Sequence, residues 1–256
     1  MSELDTRGHI EELRKRLLRI VITAGIATIL ILTLHVEPFQ AGSYTLYYVV
    51  PNPLDNIAAQ ITVHMKNTLV PEGVQLIQTA PGQAFFAQVY IAALAGAIIT
   101  MPVIARELAA FVRPALKNTE SGIAKRITVP ATVLFGAGCT MAYVVVIPYM
   151  LEFLYKYGES AELVTFLSIT DFVSFVMQFL LAFGISFQLP LVMYAVSASG
   201  LADRKFWRRN LRYALVGMVI FGAAITPDGS GVTMWFIAGP MIALYVAGMA
   251  IIERKS

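Results

Sequence analysis

The sequence predicts an all-α integral membrane protein with six transmembrane helices and both termini in the cytoplasm, and three observations carry that prediction. The 256 residues are 57% hydrophobic and only 14% charged, where a soluble chain carries roughly 25% charged residues; mean hydropathy is +0.70. So few charges cannot solvate a globule of this size, which excludes an ordinary cytosolic enzyme and a disordered chain alike. The second observation is a set of charge-free stretches long enough to cross a bilayer, and the third is a crowd of basic residues on one side of them. A single cysteine, Cys139, excludes a disulfide framework and a multi-cysteine metal site, because each needs at least a pair.

Taken in order, residues 1–19 begin an amphipathic helix, with Ile10, Leu13 and Leu17 on one face and Glu12, Arg16 and Arg19 on another. It leads into a first span over 17–35, whose charge-free part, 20–34, lengthens when Arg19 snorkels to the headgroups. This start resembles a secretory signal, but no small-x-small cleavage site follows, so the span is expected to be retained. Residues 36–80 form an external loop, because Pro38, Pro51 and Pro53 would strand carbonyls in lipid. Within that loop Leu54, Ile57, Ile61, Met65 and Leu69 recur at helical spacing behind Asp55, predicting an external amphipathic helix.

The second span is expected over 81–105, followed by a cytoplasmic connection broken by Pro114, and the third over 127–148. An external loop over 149–169 precedes the fourth span, 170–196, whose start is marked by Thr170-Asp171. The fifth, 212–227, is short for a ~30 Å hydrocarbon core and must thin the bilayer or sit among other helices. A turn at 228–231 leads to the sixth, 232–252, and the whole is expected to be a single membrane domain. No internal repeat is visible, which weakens a secondary-transporter reading.

Seventeen of the 19 Lys and Arg fall on the side of the termini and two, Lys66 and Lys156, on the other, which places both termini inside. A pI near 9.0 then reflects short loops meeting anionic lipid, and nucleic acid is not an expected partner. No span interior holds an Asp, Glu, Lys, Arg or His, which argues against a proton-coupled transporter or a metal-dependent intramembrane protease. His9, His35 and His64 lack metal-ligand spacing, no phosphate loop occurs, and no serine has a base at its depth. No metal, cofactor or catalytic residue is expected.

Polar residues within spans, Gln83, Gln88, Gln178 and Gln188, must find partners in a low-dielectric setting. They either bond inside the bundle or meet another membrane helix. Gly239, Ala243 and Ala247 form a stripe of small residues that permits close helix approach. Of the eight acids on the cytoplasmic side, Glu11, Glu12, Glu107 and Glu120 are the ones stranded among strongly basic loops. Glu12 can pair with Arg16 four residues on, worth ~0.3–0.5 kcal/mol, and Glu120 can be a solvated loop charge. The alternative is a carboxylate cluster that captures guanidinium groups bidentately and so prefers Arg over Lys.

His9-Ile10-Glu11-Glu12-Leu13-Arg14-Lys15-Arg16-Leu17 resembles the amino-terminal signature of the TatC family, the multispanning core of the twin-arginine translocase. Further blocks agree in order: Asn52-Pro53-Leu54; Met101-Pro102-Val103; Phe111-Val112-Arg113-Pro114-Ala115-Leu116 followed by Glu120; Phe183 through Pro190; Thr226-Pro227-Asp228; and Gly239-Pro240. The resemblance implies a receptor for folded export cargo whose signal peptides carry paired arginines. It implies partners too: small single-span subunits of the TatA/TatB type, and a homo-oligomer is open. By motif, Glu12, Arg14, Phe111 and Glu120 match signal-binding positions, Gln188 a partner-helix position, and Pro53, Pro102 and Asp228 structural ones. Two positions depart from the family: Gln188 replaces a frequent Glu in the fourth span, and Val246 replaces the usual acid after Leu-Tyr. The resulting expectation is a concave six-span bundle under an external cap in the cytoplasmic (inner) membrane of a prokaryote. The alternative is a small-solute or ion transporter; a scaffold that binds membrane partners without cargo is a third reading.

Overall fold

The computed structural model describes residues 3–41, 44–112, 123–160, 165–226 and 231–254. In chain order its elements are α1 (Glu3–Thr33), β1 (Leu34–Ala41), β2 (Tyr44–Pro51), α2 (Ile57–Leu69), β3 (Gln75–Ile77), α3 (Gln83–Ile99), α4 (Met101–Val112) and α5 (Ile123–Met141). After a π-helical turn, Ala142–Val146, come α6 (Ile147–Ser160), β4 (Phe166–Ser168), α7 (Ile169–Ser186), α8 (Leu189–Ala198), α9 (Arg204–Arg209), α10 (Leu211–Ile225) and α11 (Met234–Arg254). Four helices, Ile10–Thr33, Ile127–Lys156, Ile169–Ala198 and Met234–Arg254, are long and apolar enough to cross a membrane. The pair α3 and α4 supplies a fifth crossing and the shorter apolar α10 matches the short fifth span, so the fold is that of a six-span helical membrane protein.

Several boundaries differ from those expected. The second span bends by 56° where α3 gives way to α4. Pro102 brings no N–H for the Ile98 carbonyl, and Thr100 turns both its N–H (3.0 Å) and its hydroxyl (2.8 Å) back to the carbonyl of Gly96. The third helix does not stop at 148, as expected, but continues to Ser160. There α6 packs on α2, burying Ile147 and Met150, and Glu152 pairs with Lys156 one turn on at 2.8 Å. What was expected as plain loop at 36–51 is the antiparallel hairpin β1–β2. Prolines are tolerated there because both strands of a two-stranded sheet are edges. A parallel pair, β3 with β4, was likewise unforeseen, since three-residue strands show no period.

Two compact units emerge: Met1–Ile20 with Met101–Val146 and Gln178–Ser256, and Val21–Thr100 with Ile147–Met177. In the first, glycines bring helices together. A Cβ on Gly138 would lie 2.5 Å from the Phe183 carbonyl oxygen, and one on Gly184 would lie 2.6 Å from the Phe135 ring. Close approach at α11 falls on Gly248, against Pro190 and Met193, rather than on the expected stripe; Ala243 and Ala247 are exposed and nothing crowds Gly239. In the second unit Met65, Ile91, Ile147, Met150 and Phe172 are fully buried. Here the expected external helix forms as α2, but it starts at Ile57, so Asp55 is not in its first turn and Asn56 caps it: the Asn56 carboxamide accepts from the N–H of Ala59 at 2.9 Å. Leu54 consequently lies outside the helix and is 90% exposed.

Candidate functional site

Glu12, Arg16 and Arg19 stand at i, i+4 and i+7 on α1, a spacing that puts them on one helical face. Facing them from α4, within the same compact unit, is Glu107, the acid the sequence left without a partner. Its residue is 4% exposed, and each carboxylate oxygen takes one guanidinium: Oε1 from Arg19 Nη1 at 2.7 Å and Oε2 from Arg16 Nη1 at 3.1 Å. Arg16 then bridges outward, donating Nε at 3.0 Å and Nη2 at 2.5 Å to Glu12 Oε1.

The geometry follows from cost. A buried carboxylate stripped of its partner is destabilising by about 3–5 kcal/mol, so two long cations converge on Glu107 from one face of α1. Arg16 is held at both ends, and its side chain is 21% exposed against 61% for Arg19. Glu12 is the rim of this arrangement: its side chain is 42% exposed, and among the described residues both contacts to it land on Oε1. An open pocket lined by Glu11, Glu12, Lys15, Arg16 and Arg19 surrounds it. Lys15 and Glu11 also pair, at 3.1 Å, but both are exposed and the contact contributes little. The chemistry available is charge-assisted hydrogen bonding: Glu12 can accept an incoming guanidinium on Oε2, or exchange Arg16 for it, without leaving Glu107 unpaired.

The other expected positions distribute as follows. Arg14 is exposed on α1, two residues and so roughly 200° round the helix from Glu12. Phe111 is half-buried on α4, one turn beyond Glu107. Glu120 and Asp228 lie outside the described residues. Pro53 stands in the turn before α2, where its carbonyl accepts from Asn56 Nδ2 at 3.0 Å, and Pro102 sits at the α3–α4 break. Gln188 stands in the turn between α7 and α8, at the N-cap of α8, and its amide donates to the carbonyls of Ala131 (3.1 Å) and Gly184 (3.3 Å), bonds that stay within its own unit. Val246 is 48% exposed. Of the other glutamines, Gln88 accepts from Asn56 Nδ2 at 3.0 Å, Gln83 bonds back to Thr79, and Gln178 is exposed.

Among the described residues no group of three or more His, Cys, Asp or Glu could hold a metal ion. Glu107 is the residue that sequence reasoning under-read. The signal was present in the two arginines on the Glu12 face, which exceed what one acid can pair, but only the fold shows which acid meets them.

Residues 8–240 match the family described as Sec-independent protein translocase protein (TatC). The chain is 64% identical to the Sec-independent protein translocase protein TatC of Cenarchaeum symbiosum, covering 100% of this chain and 97% of that protein. It is 28% identical to the protein of the same name from Campylobacter jejuni, over 98% and 94% of the two chains. Its fold is similar to a crystal structure of the twin-arginine translocase receptor TatC, with a TM-score of 0.76 and 26% identity over 96% of this chain and 98% of that one.

Proposed function

The chain belongs to the TatC family of Sec-independent protein translocases, and from that premise we propose that Glu12, braced by Arg16 and Glu107, is where it reads the paired arginines of an export signal. The protein is a twin-arginine signal-peptide receptor and core component of a translocase that exports folded proteins. It is a membrane protein with apolar helices, and it works alongside other translocase subunits.

The observation that carries the reading is a half-exposed carboxylate on a rigid, internally neutralised support. Glu12 offers Oε2 to a ligand while Arg16 and Glu107 fix its position. A planar guanidinium matches such an acceptor better than the point charge of Lys does. Glu120 supplies the second carboxylate for the second arginine, Phe111 shapes the surface one turn beyond Glu107, Arg14 meets the signal from the other flank of α1, and the apolar stretch of the signal lies against the membrane helices, gaining free energy from area removed from water. The charge asymmetry, seventeen basic residues against two, supports an orientation in the cytoplasmic membrane of a prokaryote with both termini inside. That orientation puts the Glu12 pocket on the side from which cargo arrives. Small single-span subunits of the TatA/TatB type complete the passage, with Gln188 as a polar contact for a partner helix through the part of its amide not given to Ala131 and Gly184.

The test is signal binding by Glu12→Ala and Glu120→Ala. Loss of one charge-assisted contact is worth ~1.5–3 kcal/mol, so each variant weakens binding of an Arg-Arg signal by about tenfold or more while the protein stays folded. Unchanged crosslinking to that signal in both variants overturns the reading.

A further inference from the structure

The hairpin β1–β2 runs from a polar base to an apolar outer end. At the base the N–H of Asn52 donates to the carbonyl of Thr33 at 2.9 Å, which ties the hairpin to the last turn of α1. Gln60 on α2 grips Val36 by both backbone groups, accepting from its N–H at 3.3 Å and donating to its carbonyl at 2.9 Å. His35 leans on Asp55 in the same region. Glu37 accepts the Tyr48 hydroxyl, which pushes that phenol above its usual pKa. Beyond Glu37 no charge occurs until Asp55.

The outer half is of different character. Phe39, Tyr44, Leu46 and Tyr47 are all exposed, and Tyr48 and Val49 carry the exposed apolar surface on toward the base. The register opposes Phe39 to Leu46 and Pro38 to Tyr47, so large apolar groups occupy both faces of the ribbon. A two-stranded hairpin is marginal in water by itself, and this one bares its apolar half on both sides.

We propose that the outer half of the hairpin lies in the lipid–water interface where α1 leaves the membrane, with Phe39, Tyr44 and Tyr47 as its anchors. Continuity with the membrane-spanning part of α1 points to lipid as the occupant. The apolar stretch of α1 ends at Thr33, strand β1 starts at Leu34, and the Asn52–Thr33 bond clamps the base at that level. Eight-residue strands reach roughly 25 Å from there. Tyrosine suits this zone because its ring is apolar and its hydroxyl stays wet. The depth is bounded too: both strands have open edges whose N–H and C=O groups cannot enter the hydrocarbon core, so the ribbon rests among headgroups. A partner protein would need one apolar face; lipid covers both.

The experiment places an environment-sensitive fluorophore on single cysteines at Leu46 and Tyr47, which lie on opposite faces, in a Cys139→Ala background. A third label at the exposed polar Asn67 of α2 serves as the reference. The whole protein is reconstituted in phosphatidylcholine–phosphatidylglycerol vesicles with and without brominated acyl chains. The expected result is blue-shifted emission at 46 and 47, quenching by the brominated lipid, and less quenching by iodide than at 67. Iodide quenching equal to that at 67 would show the hairpin in water and overturn the proposal. Protection from both quenchers would show a protein surface over the hairpin, a second copy or another subunit, and would overturn it equally.

Discussion

Asn56 and Glu107 are both buried polar residues, 2% and 4% exposed, one in each compact unit, and they are satisfied in opposite ways. Asn56 spends its carboxamide on near neighbours: it accepts from Ala59 and donates to Pro53 and to Gln88, at 2.9, 3.0 and 3.0 Å. Two of those partners are backbone, fixed once the turn and helix form. Glu107 has only side-chain partners in the network described, two arginines from another helix, and one of them reaches on to a half-exposed acid. The first arrangement can only hold the fold. The second can change partners at its outer end without unburying a charge, which is what a receptor for a guanidinium needs.

Predictions follow that contrast, from the largest effect down. Asn56→Ala removes a helix cap worth ~1 kcal/mol and strands the Gln88 and Pro53 oxygens, adding about 1–3 kcal/mol. The expected outcome is a clearly lowered melting temperature in detergent, with signal binding per folded molecule unchanged; a binding defect without a stability defect would break the comparison. Next, Glu107→Gln keeps the shape but releases the arginines from their charge partner. Arg16 then closes on Glu12, and binding of an Arg-Arg signal falls roughly tenfold, as expected for one charge-assisted contact of ~1.5 kcal/mol, while preference over Lys-Lys shrinks. A melting shift alone, with the Arg over Lys preference intact, would reduce Glu107 to packing. Gln188→Ala breaks two hydrogen bonds of about 1 kcal/mol each and impairs partner association more than signal binding, measured by co-purification against crosslinking; equal loss of both would assign the amide to packing. The smallest effect is Lys15→Ala, whose exposed pair with Glu11 predicts a stability change below ~0.5 kcal/mol.

The six apolar segments were legible because hydropathy and charge asymmetry are summed over twenty or so residues and tolerate local error. What escaped depended on single contacts. The bend at Thr100 needed the conjunction of Pro102 with a threonine free to bond Gly96. The hairpin hid behind prolines that exclude a membrane span but not an edge strand. At the site, Glu12 stood out as an acid among bases, and its pairing with Arg16 was anticipated from their spacing. Glu107 lies 91 residues from Arg16, a separation no helical period reports, so its role waited on the packing of α4 near α1. Gln188 illustrates the converse, a residue conspicuous in the sequence whose amide turns out to bond the backbone of its own unit.

The most direct test of the central claim is photocrosslinking from position 15, which lines the Glu12 pocket without belonging to the buried network. A photoreactive residue replaces Lys15 in the otherwise unaltered protein, and a radiolabelled signal peptide is offered in Arg-Arg and Lys-Lys versions. Crosslinking to the Arg-Arg signal that disappears with Lys-Lys, and disappears with Arg-Arg when Glu12 is also changed to Ala, is the result expected of a guanidinium-reading carboxylate. Equal crosslinking to both signals, or to neither, would contradict it.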